Sequence, residues 1–129
     1  MFTLDQIKTA HSKVKSGKDF PNYIAEIKQL GVLSYTTYVV DSHTEYNGAG
    51  NIRISSDAKY DALIISDKNN GEQFLNDLKT HQEGKTDYFT FCKDCAKSGV
   101  EKWVADLANM TCTYFDKKGN EVLVEKIPQ

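Results

Sequence analysis

The sequence predicts an α+β fold in which helices cover one side of an antiparallel β-sheet. Apolar residues recur first at helical spacing and then at alternate positions, this change repeats in the second half, and turn motifs join the strand-like segments. Strands and helices do not alternate regularly, so a parallel sheet is not expected. The 129 residues are the size of one domain, and we expect residues 1–129 to form a single α+β domain.

Two helices are predicted at the start of the chain. Thr3 and Gln6 have the spacing of a capping box, so the first helix should begin directly after Thr3 and continue until Ser16-Gly17. The second helix should follow Asp19-Phe20-Pro21, because proline suits a first helical position. Gly31 can end this helix as a left-handed cap. Together the two helices should form a helical hairpin.

Strand signals follow in the middle of the chain. Alternating β-branched and aromatic residues predict a strand from Val32 whose one side carries Leu33, Tyr35, Thr37 and Val39. Glycine and polar residues then mark turns between short strands. The predicted order is a turn at Asp41-Ser42, a strand at His43 to Tyr46, a turn at Asn47 to Gly50, a strand at Ile52 to Ile54 and another at Leu63 to Ile65.

The second half should contain two more helices and three more strands. The first helix should follow Asn69-Asn70-Gly71, carry Phe74, Leu75 and Leu78 on one face, and end near Gly84. Thr86 or Asp87 should cap the next helix, which runs through Lys97. The predicted strands are Val100 to Asp106, Thr111 to Asp116 and Glu121 to Ile127, with a turn at Lys117 to Asn120.

Asp41, His43 and Glu45 are the candidate catalytic residues. On one continuous strand these alternate positions would share a face, where they could bind a metal or share a proton. Asp41-Ser42 is also good turn material, and a chain reversal there would remove the three residues from a common face. The turn interpretation is favoured. Asn47 to Gly50 is glycine-rich, but no helix follows it to hold a phosphate.

Cys92 and Cys95 form a Cys-x-x-Cys motif, which occurs in redox pairs and in zinc sites. Here the motif falls inside a predicted helix, with no second pair of cysteines or spaced histidines to complete a metal site. We therefore expect both thiols to be reduced, free of metal and packed against the sheet. Neither a metal nor a cofactor is predicted. His11 and His81 are expected to be partly exposed surface histidines.

Composition excludes several classes of partner. Acidic and basic residues interleave and leave a formal charge of -2, so nucleic acid is not expected. No signal peptide and no apolar run of about 20 residues is evident, so no membrane association is expected. Three cysteines, an odd number, favour a reducing compartment. We therefore predict a cytoplasmic protein.

Three segments resemble a bacterial and prophage-borne family of unknown function that includes YbcV- and YdfO-like proteins. These segments are MFTLDQIKTAHSKVKSG, GKTDYFTFCKDCAKSGVEKWVADL and MTCTYFDKKGNEVLVEKI, and the resemblance extends over the whole chain. It implies a bacterial, prophage-derived α+β domain. Some members are labelled "phage envelope protein", but the resemblance assigns no catalytic residue, and a lipid-envelope role fits poorly with the missing spanning segment.

Two functional hypotheses result. The first is a non-enzymatic module that binds a protein or small-molecule partner, because no complete catalytic motif is present. The alternative is a small enzyme acting on a polar metabolite, with His43 as acid or base and Asp41 or Glu45 orienting it. The sequence does not name the ligand, the partner or the oligomeric state.

Overall fold

In the computed structural model, which describes residues 2–15 and 19–127, six strands form one sheet and four helices pack against it. A short 3₁₀ turn at Ala49–Asn51 joins the second and third strands. The elements are α1 (Leu4–His11), α2 (Phe20–Leu30), β1 (Val32–Tyr38), β2 (Thr44–Gly48), β3 (Ile52–Ser55), α3 (Gly71–Gln82), α4 (Tyr88–Lys97), β4 (Val100–Asp106), β5 (Thr111–Asp116) and β6 (Glu121–Lys126).

The sheet has the strand order β3-β2-β1-β4-β5-β6, and every neighbouring pair is antiparallel. Hairpins connect β1 to β2 to β3, and a meander connects β4 to β5 to β6. The pairing of β1 with β4 joins these two halves at the centre of the sheet. The predicted antiparallel α+β fold is therefore confirmed.

One face of the sheet carries the helices. Tyr35, Tyr46 and Ala105 are register neighbours on this face, and they pack in one buried cluster with Ile24 and Ile27 of α2. The α1–α2 hairpin therefore covers the part of the sheet that β2, β1 and β4 form. Burial of apolar side chains from both layers provides the main stabilisation, at roughly 25 cal/mol per Å².

Helices α3 and α4 cover the other part of the same face. Phe74 of α3 and Phe91 of α4 belong to a second cluster with Tyr114, and Trp103 packs against it. Trp103 and Tyr114 are paired neighbours, and Trp103 pairs with Thr37 on the same face as Tyr35. The prediction that helices lie on one side is confirmed.

The opposite face, called the open face below, contributes no side chain to either described cluster. Several of its residues are half-buried by their strand neighbours, whereas Val124 is 50% exposed. The register assigns to this face Ser34, Thr36, Tyr38, Glu45, Asn47, Arg53, Lys102, Val104, Asp106, Thr111, Thr113, Phe115, Val124 and Lys126.

The predicted helix signals act as expected at most helix ends. Thr3 and Gln6 form the capping box, with Gln6 N donating to Thr3 Oγ1 and Thr3 N donating to Gln6 Oε1. Gly31 ends α2 with a left-handed φ of 110°, and Asp87 caps α4. Helix α1 ends earlier than predicted, at His11; the predicted stop at residues 16–17 lies outside the described residues.

The structure differs from the prediction at two apolar positions and at one predicted strand. Leu33 is 51% exposed, because a bulge between Val32 and Ser34 shifts the alternation and turns Val32 inward instead. Leu75 is 47% exposed on the outer side of α3. Leu63 to Ile65 is not a strand: this segment is irregular and Ile64 is 92% exposed.

Candidate functional site

The β1–β2 hairpin reverses the chain at Val39 to Ser42, close to the predicted turn. Tyr38 N donates to the His43 carbonyl, and Ser42 N donates to the Tyr38 carbonyl at 2.8 Å. Ser42 has a φ of 63°, a left-handed conformation that allows this tight reversal. The turn therefore fixes where the flanking side chains project.

The turn brings Asp41 and His43 together rather than separating them. Asp41 Oδ1 accepts from the His43 backbone N at 3.0 Å and lies 2.5 Å from His43 Nδ1. This is the local geometry in which an aspartate bonds to the residue two positions later, and it brings the two side chains together without a shared strand face. Both side chains are about 30% exposed.

The Asp41 carboxyl is stabilised in its charged form. Partial desolvation alone would raise its pKa, but the hydrogen bonds from the His43 backbone and ring, with the electrostatic attraction of His43, outweigh it and lower the pKa. A charged Asp41 that is bonded to Nδ1 holds the ring orientation and leaves Nε2 as the nitrogen directed away from this contact.

Tyr38 connects the Asp41–His43 pair to Glu45 and Arg53. Its ring stacks on His43 with centroids 4.6 Å apart and an interplanar angle of 10°. Desolvation and a hydrogen bond with Glu45 raise the pKa of the Tyr38 hydroxyl. Glu45 in turn lies 3.9 Å from Arg53 Nε. These five residues, Tyr38, Asp41, His43, Glu45 and Arg53, are called the polar cluster below.

Lys102 places a further positive charge beside the polar cluster. Its Nζ lies 5.9 Å from the ring centre of Tyr38 and 5.6 Å from that of Phe115. Such cation–π contacts contribute about 0.5–1 kcal/mol at exposed sites. The ammonium group therefore stands between two aromatic rings near the centre of the open face. Alternation along β1 and β4 could have placed Tyr38 and Lys102 outward, but only the strand register shows that they meet.

Hydrogen bonds from other segments of the chain stabilise the Val39 to Ser42 turn. Ser42 is fully buried, and its Oγ lies 2.6 Å from the Tyr88 hydroxyl of α4. The Tyr60 hydroxyl donates to the Val39 carbonyl at 2.5 Å, and Lys59 N donates to the Asp41 carbonyl. Sequence reasoning missed these contacts, because each partner lies in a separate segment of the chain.

A cleft of about 370 Å³ opens at the end of the β2–β3 hairpin. Gly48 forms part of it and packs so closely on Phe2 that a Cβ there would lie 2.6 Å from the ring. The cleft is lined by Asn47, Gly48, Asn51, Ile52 and Arg53. A second concave region of about 160 Å³ lies between α1 and α2, and His43 lines neither of the two.

The cysteines lie away from the polar cluster. Cys92 and Cys95 are fully buried on the inner side of α4, as expected for packing against the sheet, and Cys112 is half-buried. All three are free thiols. Within residues 2–15 and 19–127, no group of three or more His, Cys, Asp and Glu side chains is arranged to hold a metal ion.

The remaining histidines have aromatic neighbours. His81 stacks on Phe91 at 4.5 Å, and its Nδ1 contacts Thr86, while His11 meets the edge of Tyr23. His81 is half-buried and His11 is exposed. None of the helices in the described part of the chain has the length and apolarity needed to cross a bilayer.

Comparison with protein-family models places most of the chain in a family of unknown function. Residues 8–126 match the family described as "Protein of unknown function (DUF1398)". No curated protein matches the chain. Neither comparison assigns a ligand or a reaction, so the geometry of the open face is the basis for a functional proposal.

Proposed function

Because the chain belongs to the DUF1398 family, whose function is unknown, we propose from geometry that it is a non-enzymatic module that binds a small polar ligand on its open face. The observation that carries this proposal is the 2.5 Å contact between Asp41 Oδ1 and His43 Nδ1 within the polar cluster. It leaves Nε2 as the ring nitrogen that faces away from Asp41, and the His43 ring stacks on Tyr38, which belongs to the face that the described helices leave uncovered.

The sheet supports binding because it holds polar groups in place before a ligand arrives. Tyr38 and Glu45 project from hydrogen-bonded central strands, and the buried Ser42 anchors the turn that carries Asp41 and His43. Groups that are already ordered lose little conformational entropy on binding. The site offers cations, a carboxylate pair and aromatic rings, which suits a polar molecule better than an apolar one.

Openness favours binding over catalysis. Acid–base catalysis gains most from a site that excludes water, because electrostatic interactions strengthen there. His43 is 31% exposed at its side chain and lines neither concave region. A general base in this position would act in contact with solvent.

The cellular setting is part of the proposal. Three free thiols, two of them fully buried, support a reducing compartment, and we infer the cytoplasm. The prophage-derived origin rests on the sequence resemblance described above. Mixed charges on the open face support a small polar ligand rather than nucleic acid.

NMR titration of the ¹⁵N-labelled chain with mixtures of polar metabolites tests the proposal. A true ligand should shift the amides of β1, β2 and the Val39 to Ser42 turn, and His43→Gln should weaken the shift. His81→Gln is the matched control, because His81 is a half-buried histidine on α3 and should leave binding unchanged. Metabolites that shift only other surfaces, or equal loss in both variants, would contradict the proposal. If a protein, and not a metabolite, binds saturably to the open face, the proposed small ligand is wrong and the face is a protein-binding site.

A second candidate function is an enzyme that acts on a polar metabolite with His43 as general acid or base. The same Asp41–His43 contact favours it, because a carboxylate on Nδ1 fixes the tautomer and leaves Nε2 to exchange a proton. Product formation with the purified chain should then fall at least about 100-fold in His43→Gln. Turnover that survives this change would exclude His43 as the catalytic group.

A further inference from the structure

The cleft at the β2–β3 hairpin has its own polar lining, distinct from the Asp41–His43 contact. Asn47 and Arg53 are paired across the two strands and both belong to the open face, while Asn51 is the last residue of the 3₁₀ turn. At about 370 Å³ the cleft is large enough for a small molecule, since ligand pockets commonly begin near 300 Å³. The floor is closely packed, because Gly48 lies directly against the Phe2 ring.

Arg53 has unused hydrogen-bonding capacity. It is the only arginine in the chain, all other basic residues apart from the histidines being lysines. Its Nε lies 3.9 Å from Glu45 Oε2, which is too long for a hydrogen bond, and its side chain is 70% exposed. Its planar group can donate two parallel hydrogen bonds to one carboxylate, which a lysine cannot do.

The two asparagines supply the complementary groups. Asn47 Nδ2 donates to Ser34 Oγ at 3.4 Å, so its carbonyl oxygen remains available to a ligand donor. The Asn51 amide forms no hydrogen bond with any residue of the described chain, and it can both donate and accept. Asn51 also has a left-handed φ of 63° beside Gly50 at 72°, which directs the chain around the cleft.

We propose that this cleft binds the carboxylate of a small organic acid that carries a neighbouring hydroxyl or amino group. The Arg53 guanidinium receives the carboxylate, and the Asn47 and Asn51 carbonyls accept from the adjacent donor. A dianionic phosphate fits less well, because among the described residues that line the cleft Arg53 alone carries a positive charge, and Glu45 lies 3.9 Å from it. The inference rests on the proposed function, since it names the ligand class of the same open face.

Titration of the full chain with simple probes tests the cleft. Lactate, propanoate, inorganic phosphate and chloride are compared at matched pH and ionic strength, and the single arginine Nε–H signal is followed with the Asn47 to Arg53 amides. Lactate should shift these signals saturably at millimolar concentration, and propanoate should bind more weakly because it lacks the hydroxyl. Phosphate and chloride should produce no saturable shift. Phosphate that binds as tightly as lactate, or lactate that does not saturate, overturns the proposal.

Three variants measure how much Arg53 and Asn51 each contribute to lactate binding. Arg53→Gln should weaken lactate at least about tenfold, the change expected for one lost charge-assisted bidentate pair. Arg53→Lys keeps the charge and should recover only part of the affinity. Asn51→Gly suits the positive φ, so the fold should remain intact while the amide contact is lost. Lactate affinity that is unchanged in both Arg53→Gln and Asn51→Gly would exclude the cleft.

The outcomes distinguish this inference from the proposed function. If lactate saturates the cleft but no metabolite shifts the His43 region, the carboxylate site stands and the broader binding role fails. If metabolites shift the His43 region while lactate leaves Asn47 to Arg53 unchanged, the binding role stands and the carboxylate site fails.

Discussion

Ser42 and Tyr88 lie 46 residues apart in the sequence and meet through a 2.6 Å contact between their hydroxyl oxygens. Ser42 is fully buried in the β1–β2 turn, and Tyr88 begins α4. The contact crosses from the helix layer to the turn that carries Asp41 and His43. The position of the polar cluster on the open face therefore depends on a contact behind the sheet.

A double-mutant cycle should measure this coupling. Ser42→Ala and Tyr88→Phe should each lower the free energy of unfolding by about 1–3 kcal/mol, because each removes the hydrogen bond between these two buried-side hydroxyls. The double variant should cost about 1 kcal/mol less than the sum of the two single changes. Denaturant unfolding followed by Trp103 fluorescence provides the measurement. Strict additivity would show that the two hydroxyls do not stabilise each other.

Alanine substitutions at Gly99 and Gly119 should show how much stability is lost to backbone strain alone and how much to a steric clash. Both have left-handed φ values, of 83° and 84°, but a Cβ at Gly99 would lie 2.6 Å from the Lys68 carbonyl oxygen, whereas a Cβ at Gly119 meets nothing within 4 Å. Gly119→Ala should therefore cost only the conformational strain of about 1–2 kcal/mol. Gly99→Ala should cost about 3 kcal/mol or more, because backbone atoms must move. Equal losses in thermal unfolding would contradict the close approach at Lys68.

Local signals explain why most of the fold could be predicted. Some signals determine the structure of only the few residues around them. Examples are the capping box at Thr3 and Gln6, the glycine at position 31 and the turn residues at 117–120. The failures need information from farther away. Leu33 faces outward because of a bulge against β2, and Leu63 to Ile65 runs as an irregular segment although its sequence favours a strand.

The candidate site was only partly visible in the sequence. The chemistry of Asp41, His43 and Glu45 marks them as candidates, but their arrangement depends on the left-handed Ser42 and on the hydrogen bond from His43 N to Asp41 within the turn. Tyr38 and Arg53 join them through strand pairing, which one-dimensional periodicity does not specify. For the segment that lines the cleft, the sequence predicts only a turn at Asn47 to Gly50 and a strand at Ile52 to Ile54, because these patterns do not show which side chains remain unpaired.

The Asp41 carboxyl should make stability depend on acidic pH. Partial desolvation alone would raise its folded pKa, but the hydrogen bonds from His43 lower it. The folded pKa therefore lies below the unfolded value of about 3.9. The stabilisation is therefore present above about pH 4 and is lost as the pH falls through the folded pKa. Asp41→Asn can still accept from the His43 backbone N but carries no charge. The stability difference between wild type and Asp41→Asn should shrink between about pH 6 and pH 2; a constant difference would contradict the charge effect.

The buried thiols should be inert in the native protein. Burial raises the pKa of Cys92 and Cys95, and it raises the pKa of Cys112 to about 12, so little reactive thiolate exists near neutral pH. Labelling should be slow in the native state and should reach all three thiols after denaturation. Cys95→Ala should cost about 1 kcal/mol of stability through lost packing, and Cys95→Ser should cost more, because it buries a hydroxyl. Stoichiometric zinc in untagged protein, or rapid native labelling of Cys92 and Cys95, would show that the motif is a metal or redox site.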